Sequence, residues 1–318
     1  MTISLQSAVE GYIEWRRDHG AVFATSAELL RQFCRAAGEG IECSAVSEQQ
    51  VRAFLAGQAP PSRHRANKYG ALAGFYRYAI SRGHVRVSPL PDRDNEPRRP
   101  PTAPPYVYSR AELRRLLDAT GPCCPPGTRF DGSTFRILLL VLYGAGLRAS
   151  EAYNLAIEDV DLDAAVLTVR NAKFFKTRLV PITRTLAGAL RQHAAERLRH
   201  PLPDQMKSAF LANRDGSGIA HRTVYTAFRR LLRLAEIEPP RDGRRPPNLQ
   251  SFRHTAAVHR LTSWYRSDAD IPRLLPMLAV WLGHASLDGT RVYLSMTPEL
   301  LQEASRRFDH FVNGGTDA

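Results

Sequence analysis

The sequence predicts a mainly α fold with a small antiparallel β-sheet, divided between two domains. Three observations lead to this fold class. The chain has 318 residues, which is long enough for two hydrophobic cores. A proline-rich stretch between Ser88 and Pro105 interrupts it with the sequence SPLPDRDNEPRRPPTAPP. On either side of this stretch, apolar residues recur mainly at helical spacing, and two short runs rich in β-branched residues are the exception.

The proline-rich stretch is predicted to be an extended interdomain linker. Proline has no backbone amide to donate, and it disfavours helix in the residue before it. We therefore place the linker at residues 89–105. It separates a helical domain, residues 1–88, from a second domain, residues 106–318.

The charge of the chain points to a polyanionic partner. Lysine and arginine number 44 against 31 aspartate and glutamate, which gives a formal net charge of +13. Nucleic acid is the leading candidate for such a partner. A feature that serves solubility, or a ribosome-associated protein, explains the charge nearly as well.

Four helices are predicted in the first domain from the spacing of apolar residues. They cover Leu5–Trp15, Ala27–Phe33, Val51–Leu55 and Tyr69–Ile80. Ser47 and Ser62 are predicted N-caps.

The fourth of these helices combines a basic start with an apolar stripe. The stripe consists of Leu72, Phe75 and Tyr76. The basic residues are Arg63, Arg65 and Lys68, which we expect to contact phosphates. A charged face that is simply solvated is an equally good interpretation.

The second domain is predicted to mix helices with one hairpin. Ser109 and Glu112 match a capping box that starts a helix through Leu117. The hairpin joins Ala165–Val169 to Arg178–Ile182. The other predicted helices are Phe135–Tyr143, Leu186–Leu198, His221–Ala235, Ser251–Trp264, Pro272–Leu282 and Pro298–Phe311.

The four cysteines, Cys34, Cys43, Cys123 and Cys124, do not have the spacing of a disulfide framework or a zinc site. We expect reduced thiols and no metal. The N-terminus has no signal-peptide pattern, and no stretch approaches the roughly 18 apolar residues of a membrane span. These features predict a soluble, cytoplasmic protein.

Residues of the second domain form a distinctive series. In chain order they are Arg148 in GAGLRASE, Lys173 in a basic hairpin, Arg253-His254, His284 in WLGH, and Tyr293 nine positions later. The series resembles the active site of the tyrosine recombinases, also called the phage integrase family. That resemblance implies an enzyme that cuts and rejoins DNA through a phosphotyrosine, with no metal, ATP or other cofactor.

The resemblance implies that Arg148 and Arg253 clamp the scissile phosphate. A guanidinium stays protonated and donates two parallel hydrogen bonds to adjacent oxygens, so it suits the charge that builds on the phosphate. Glu151 then corresponds to the acidic residue that orients this network. Lys173, rather than Lys176, matches the general acid that protonates the departing 5′ oxygen. A phosphate contact from a flexible basic turn is the alternative role for Lys173.

Tyr293 corresponds to the nucleophile, and His284 to the histidine that hydrogen-bonds the scissile phosphate. Attack by the phenol would leave a 3′-phosphotyrosyl link and a free 5′-hydroxyl. A phenol of pKa near 10 is about one part in a thousand ionised at pH 7. We expect neighbouring cations to offset that deficit.

Gln250 is a departure from the family pattern. Most relatives have His-x-x-Arg-His here, and Gln250 occupies the place of the first histidine, whereas His254 keeps the second and is expected to support the site. Glutamine forms hydrogen bonds but does not carry a proton between groups. If the first histidine assists deprotonation of the tyrosine, roughly 10² to 10⁴ in rate is at risk.

Further resemblances concern DNA binding and assembly. The first domain is similar to the helical, SAM-like core-binding domain of Xer-type and integrase-type recombinases. In the family, the counterpart of the helix at residues 221–235 enters a major groove, which makes Arg222 and Arg229 candidates for DNA contact, together with Lys176. The C-terminal helix often docks on a neighbouring protomer, which implies a tetramer on double-stranded DNA; docking on its own domain is nearly as good an interpretation.

Two alternatives to a recombinase remain open at this point. Gln250 favours a catalytically weak or silent DNA-binding relative that regulates a partner recombinase. A type IB topoisomerase-like enzyme, which nicks and reseals one duplex, shares the same chemistry. The helical first domain and the modest length favour recombination over the topoisomerase.

Overall fold

A computed structural model describes most of the chain. The described residues are 3–21, 23–56, 63–92, 103–125, 127–170, 177–241, 243–267, 269–284, 286–295, 302, 305 and 306. The chain divides into two compact units, Met1–Thr102 and Ala103–Ala318. Each unit is described by itself.

The described part of the first unit contains four α-helices. They are α1 (Leu5–Asp18), α2 (Ala24–Ala37), α3 (Glu48–Leu55) and α4 (Arg63–Ser81). All four predicted helices are confirmed, and each extends beyond its predicted bounds at one end or both. Ser47 and Gln50 form a capping box that starts α3, as expected for a serine N-cap. Ser62, the other predicted N-cap, lies outside the described residues.

The core of the first unit lies where these helices meet. Leu72, Phe75 and Tyr76 of α4 are fully buried, as predicted, and they share a core with Leu30 and Phe33 of α2. The chain that follows α4 stays on this unit, because the Tyr69 hydroxyl donates to the Pro91 carbonyl at 3.0 Å. The first residues of the predicted linker therefore pack against the first unit.

The second unit is built from helices around a small sheet. Its described helices are α5 (Arg110–Asp118), α6 (Thr120–Cys123), α7 (Gly132–Gly144), α8 (Ala149–Tyr153), α9 (Arg184–Arg197), α10 (His221–Leu234), α11 (Leu249–Arg266), α12 (Ile271–Leu282) and α13 (Asp288–Arg291). Its strands are β1 (Val160–Asp161), β2 (Val166–Val169) and β3 (Arg178–Pro181). The predicted helix at Pro298–Phe311 falls almost wholly outside the described residues.

The predicted hairpin is confirmed as the antiparallel pair β2 and β3. Val166 lies opposite Pro181, and Val169 lies opposite Arg178. β1 pairs with β2 on its other side and gives the order β1-β2-β3. The residues that join β2 to β3, 171–176, are outside the described part of the chain.

Helix α7 occupies the centre of the second unit. Phe135 and Leu139 are buried on one side of it, and Ile137 and Val141 are buried on the other, as expected for a helix that is apolar all round. It packs against α6, α9 and α11. The C-terminal end of α7 is thereby fixed, and the chain that follows it carries Arg148.

A smaller apolar cluster lies between α11 and α12. It includes Val258 and Leu261 of α11 and Leu278 and Leu282 of α12, and it surrounds the ring of Tyr293. The tyrosine is therefore held by the same packing that holds the two helices together. Among the described residues, no helix combines the length and the apolar character that crossing a bilayer requires.

Candidate active site

Arg148 is placed by a tight turn after α7. The helix ends at Gly144, and Gly146 adopts a left-handed conformation with φ of +62°, which favours glycine because a Cβ is strained there. The turn reverses the chain so that Arg148 becomes the N-cap of α8, with an extended backbone. This agrees with the predicted position of Arg148 at a helix junction.

The carboxylate of Glu151 is the centre of the site. Arg148 donates to it twice, from Nη1 to Oε1 at 2.7 Å and from its backbone N–H to Oε2 at 2.9 Å. Arg178 binds it with both terminal nitrogens, at 3.0 Å and 2.8 Å. Arg253 Nη1 lies 4.0 Å from Oε2. One carboxylate therefore orients two guanidinium groups and lies beside a third.

Glu151 is ionised over the whole physiological range. Burial raises the pKa of this carboxyl, but hydrogen bonds and positive charge from Arg178 and Arg148 outweigh burial and bring the pKa to about 2. The side chain of Glu151 is 7% exposed and that of Arg178 is 10% exposed. A buried charge pair of this kind needs the bidentate geometry that arginine supplies.

Arg178 was missed as a site residue by sequence reasoning. A signal for it exists in the strand periodicity of β3. Arg178 and Val180 point to the same face of the strand, and Val180 is fully buried, whereas the intervening Leu179 is 64% exposed. An arginine on the inward face of a strand requires a partner for its charge, and Glu151 is that partner.

Arg253 is the most deeply buried arginine of the site. Its residue is 1% exposed, and its terminal nitrogens donate to the carbonyls of Gly146, at 2.6 Å, and Leu282. Burial, followed by the positive charge of Arg148, lowers the pKa of this guanidinium to about 10. Arg253 therefore remains a cation at neutral pH and lies beside Glu151.

Tyr293 lies inside the site and is 2% exposed. Its hydroxyl is 3.0 Å from Nδ1 of His254. Its ring stacks on that of His284, with centroids 6.0 Å apart and an angle of 15° between the planes. His284 is in turn fixed by the buried hydroxyl of Thr290, 2.8 Å from its Nδ1.

The pKa of Tyr293 is raised, contrary to the expectation that neighbouring cations compensate for its weak acidity. Burial is the largest influence and raises the pKa of the phenol, whereas the charges of Arg253 and Arg148 lower it by less. The two arginines thus reduce the rise in pKa that burial causes, but they do not reverse it. The phenol is protonated in the protein alone.

Both histidines of the site are neutral at pH 7. Burial, followed by the charge of Arg253, lowers the pKa of His254 and of His284 to about 4. A neutral imidazole offers one nitrogen as a donor and the other as an acceptor. Either histidine is therefore able to accept a proton or donate a hydrogen bond.

Gln250 lies on α11 one turn before His254. Positions three and four residues apart share a helix face, so Gln250, Arg253 and His254 point the same way. The side chain of Gln250 is half-buried. The structure therefore places the glutamine on the face of α11 that carries the site.

The structure brings together Arg148, Glu151, Arg253, His254, His284 and Tyr293, with Arg178 added. Lys173 and Lys176 lie outside the described residues, as does the side chain of Arg63.

Arg65 and Lys68 are half-buried and bind backbone carbonyls at the end of α3. Arg65 donates to Leu55 at 3.3 Å and Lys68 to Phe54 at 2.8 Å.

Arg222 and Arg229 are exposed on α10, on the side away from buried Val224 and Phe228. This is the orientation that the sequence predicts for α10.

Comparison with known proteins identifies the family. The sequence profile of the phage integrase family matches residues 109–299, which is more than half of the chain. An integrase/recombinase of Sinorhizobium fredii, y4rB, is 33% identical over 316 residues, covering 96% of this chain and 97% of that protein. Tyrosine recombinase XerA of Thermococcus kodakarensis is 32% identical over 231 residues, or 71% of each chain. The chain belongs to the phage integrase family, whose members include the tyrosine recombinases.

Solved structures share the fold. XerH site-specific recombinase bound to palindromic difH substrate matches with a TM-score of 0.65 at 18% identity, over 96% of this chain and 85% of that one. The Tn1549 transposon integrase in complex with transposon right end DNA also gives a TM-score of 0.65, at 17% identity, over 98% of this chain and 100% of that one. The mainly helical fold with a small antiparallel sheet is therefore that of the recombinases.

Proposed function

We propose that the protein is a site-specific DNA recombinase that cuts and rejoins double-stranded DNA through a 3′-phosphotyrosyl intermediate at Tyr293. The observation that carries this proposal is the position of the Tyr293 hydroxyl. It is buried, it is close enough to Arg253 and Arg148 for their charges to act on its pKa, and it is hydrogen-bonded to His254. The names of the related recombinases and integrases, several of them solved with DNA, support the substrate.

The proposed reaction is a transesterification without metal or ATP. Tyr293 attacks phosphorus, and Arg148 and Arg253 stabilise the charge that develops on the non-bridging oxygens. Lys173 protonates the departing 5′ oxygen, and His284 donates a hydrogen bond to the phosphate. The 5′-hydroxyl of another strand then attacks the phosphotyrosine and completes the exchange, because the covalent link conserves the phosphodiester energy.

Glu151 and Arg178 act on this reaction through Arg148. The carboxylate fixes the Arg148 guanidinium from one side, and the Gly283 carbonyl accepts a bond from its Nη2 at 3.0 Å. Arg178 neutralises much of the carboxylate charge. The positive charge of Arg148 is therefore not cancelled by Glu151 and remains available to the phosphate. Preorganised donors of this kind need no reorientation when the transition state forms.

DNA binding is assigned to both parts of the chain. Residues 1–88 form the core-binding domain, residues 89–105 the linker, and residues 106–318 the catalytic domain. Arg222 and Arg229 of α10, with Lys176, contact the DNA from the catalytic domain, and Arg63 does so from α4. Arg65 and Lys68 also belong to the proposed DNA face, and their bonds to the end of α3 keep them in place there.

Assembly follows from the reaction that we propose. Exchange between two duplexes cuts four strands, so four active sites are required, and we propose a homotetramer on DNA. The protein would act in the cytoplasm, where its DNA substrate is.

The test uses a pool of DNA duplexes with a randomised core and a nick that lets the cleaved end diffuse away. Wild-type protein should form a covalent adduct that survives denaturing electrophoresis, and Tyr293→Phe should form none. Sequencing of the trapped DNA then gives the recombination site. Transfer of strands between two duplexes that carry this site completes the assignment.

A second candidate function is favoured by Gln250. A silent DNA-binding relative, which regulates a partner recombinase, would retard the same duplexes in a native gel and give no adduct. Relaxation of supercoiled DNA without exchange between duplexes would instead indicate a topoisomerase-like enzyme. The three outcomes are distinct, so the nicked duplexes and supercoiled DNA together decide among them.

A further inference from the structure

We propose that His254 is the group that accepts the phenolic proton of Tyr293, in place of a histidine one helical turn earlier, where this chain has Gln250. The assignment rests on the proposed function and adds a catalytic residue to it. It makes the chain competent for cleavage in spite of Gln250.

The geometry selects His254 over other groups. Its Nδ1 lies 3.0 Å from the Tyr293 hydroxyl, within the range from which a general base takes a proton directly. The two ring planes are inclined by 51°, so the rings are not stacked and the polar contact is the one at the hydroxyl. Tyr293 is 2% exposed, and a proton that leaves the phenol therefore has little access to bulk solvent.

Gln250 is unable to accept the phenolic proton of Tyr293. An amide donates and accepts hydrogen bonds, but at ordinary pH it does not take up a proton. It lies one turn before His254 on the same face of α11. The two positions point into the same site, so a histidine at the second can compensate for its absence at the first.

The charged groups around His254 favour the neutral form of its imidazole, which is the form that accepts a proton. Groups from every side face His254: Arg253 on its own helix, Arg245 from the preceding loop, His284 after α12, and Tyr293 itself. The cations keep the imidazole neutral, so Nδ1 has a free lone pair when the proton is on Nε2. An anionic DNA phosphate in the same site offsets those cations and makes His254 more basic at the moment when a base is needed.

The step is balanced as follows. The O–H bond of Tyr293 breaks and its proton goes to Nδ1 of His254, while the phenolic oxygen forms a bond to phosphorus. The bond from phosphorus to the 5′ oxygen breaks, and that oxygen takes its proton from Lys173, the proposed acid. In the rejoining step, the attacking 5′-hydroxyl gives its proton to the deprotonated Lys173, and protonated His254 returns its proton to the departing phenolate.

The experiment compares single-turnover adduct formation on the nicked duplexes for wild type, His254→Gln and the control His259→Gln. His259 is on the same helix, half-buried and bonded to Tyr143 at 3.0 Å, away from Tyr293. His254→Gln should slow adduct formation by about 10² to 10⁴, the usual contribution of a general base. His259→Gln should react at the wild-type rate.

Two further measurements separate a proton acceptor from a merely structural residue. On a substrate whose 5′ bridging oxygen is replaced by sulfur, the leaving group needs no acid, so the defect of His254→Gln should persist. The rate of His254→Gln should also rise more steeply with pH than that of wild type, because solvent then has to ionise the phenol. The double variant Gln250→His, His254→Gln should recover part of the lost rate.

A normal rate for a folded His254→Gln protein would overturn the assignment, and so would a defect that the sulfur substrate abolishes. Circular dichroism and DNA retardation establish folding, and His254→Asn provides a second variant should the glutamine fail to fold. Absence of any adduct with wild type would overturn the proposed function itself, and this assignment with it. Adduct formation at the same rate by wild type and by His254→Gln would overturn this assignment and leave the proposed function in place.

Discussion

Arg178 and Glu151 form a buried bidentate ion pair, with nitrogen–oxygen distances of 3.0 Å and 2.8 Å. The pair joins β3 to the start of α8, and so connects the sheet to the turn that carries Arg148. Because the same carboxylate also binds Arg148, the orientation of a proposed catalytic arginine depends on a strand residue.

Replacement of Arg178 by glutamine should destabilise the protein. Removing one partner of a buried ion pair leaves the other charge uncompensated, and the expected loss is about 3 to 5 kcal/mol in the free energy of unfolding. The measurement is urea denaturation at pH 7. Arg199→Gln is the matched control, because its side chain is 75% exposed and its ion pair with Glu196 lies on the surface; it should change stability by well under about 1 kcal/mol. Equal effects for the two variants would contradict a structural role for the buried pair.

Stability should fall in acid over two separate ranges of pH. The pKa of Glu151 is about 2 in the folded protein against an ordinary 4.5. A folded pKa below the unfolded one means that the stabilisation is complete above pH 4.5 and is lost as the pH falls to about 2. The difference, 4.5 − 2 = 2.5 pH units, corresponds to about 3 kcal/mol.

The buried histidines act in the higher range. The pKa of His254 and of His284 is about 4 in the folded protein against 6.5 ordinarily, so the unfolded chain takes up protons first as the pH falls from 6.5 to 4. Unfolding free energies measured between pH 2 and 7 should show both slopes. Glu151→Gln should flatten the slope below pH 4.5 and leave the upper one. A single slope that Glu151→Gln leaves unchanged would contradict this interpretation.

Gly283→Ala should disrupt the site through steric contact. Gly283 has φ of +65°, and a Cβ there would lie 2.7 Å from Cζ of Arg178. The added methyl group should displace Arg178 from Glu151, and adduct formation should fall by at least about 10-fold, as small displacements in preorganised sites do. Gly83 is the matched control: its φ is +72° and nothing lies within 4 Å of the added Cβ. Gly83→Ala should introduce only the backbone strain, about 1 kcal/mol, and should form the adduct at the wild-type level. A similar loss of adduct formation in both variants would show that backbone strain, and not displacement of Arg178, is responsible.

Local signals in the sequence account for most of the fold and much of the site. The capping box of Ser109 and Glu112 and the apolar run of α7 are determined by neighbouring residues, and both are confirmed. β1 has two residues and α6 has four, which is too short for any periodicity to be visible. Arg148 and Arg253 were predicted as site residues because the whole series of motifs resembles the family, and neither local motif is sufficient by itself.

Contacts between distant segments were beyond sequence reasoning. Lys68 is predicted to contact phosphates, but nothing in its sequence context indicates that its ammonium also lies over the Phe54 ring and binds the Phe54 carbonyl, a contact that exists once α3 and α4 have packed. The Gly283 carbonyl that holds Arg148 is a backbone atom, which no residue type identifies. The raised pKa of Tyr293 likewise depends on its burial between α11 and α12.

Arg222 and Arg229 offer a test of DNA binding that is independent of catalysis. Both are exposed on α10, and neither is part of the buried network around Glu151. A lysine or arginine that neutralises one phosphate adds about 0.9 to the magnitude of the slope of log K against log salt. Arg222→Ala and Arg229→Ala should each lower the affinity for a 30-base-pair duplex of arbitrary sequence and reduce that slope by about 0.9, measured by fluorescence anisotropy between about 50 and 200 mM salt. Arg199→Ala, on the loop after α9, should leave both quantities unchanged. The outcome differs if an α10 variant lowers affinity only for the recombination site recovered from the trapped adducts and leaves the salt slope unchanged. That arginine would then contact base edges and not phosphates.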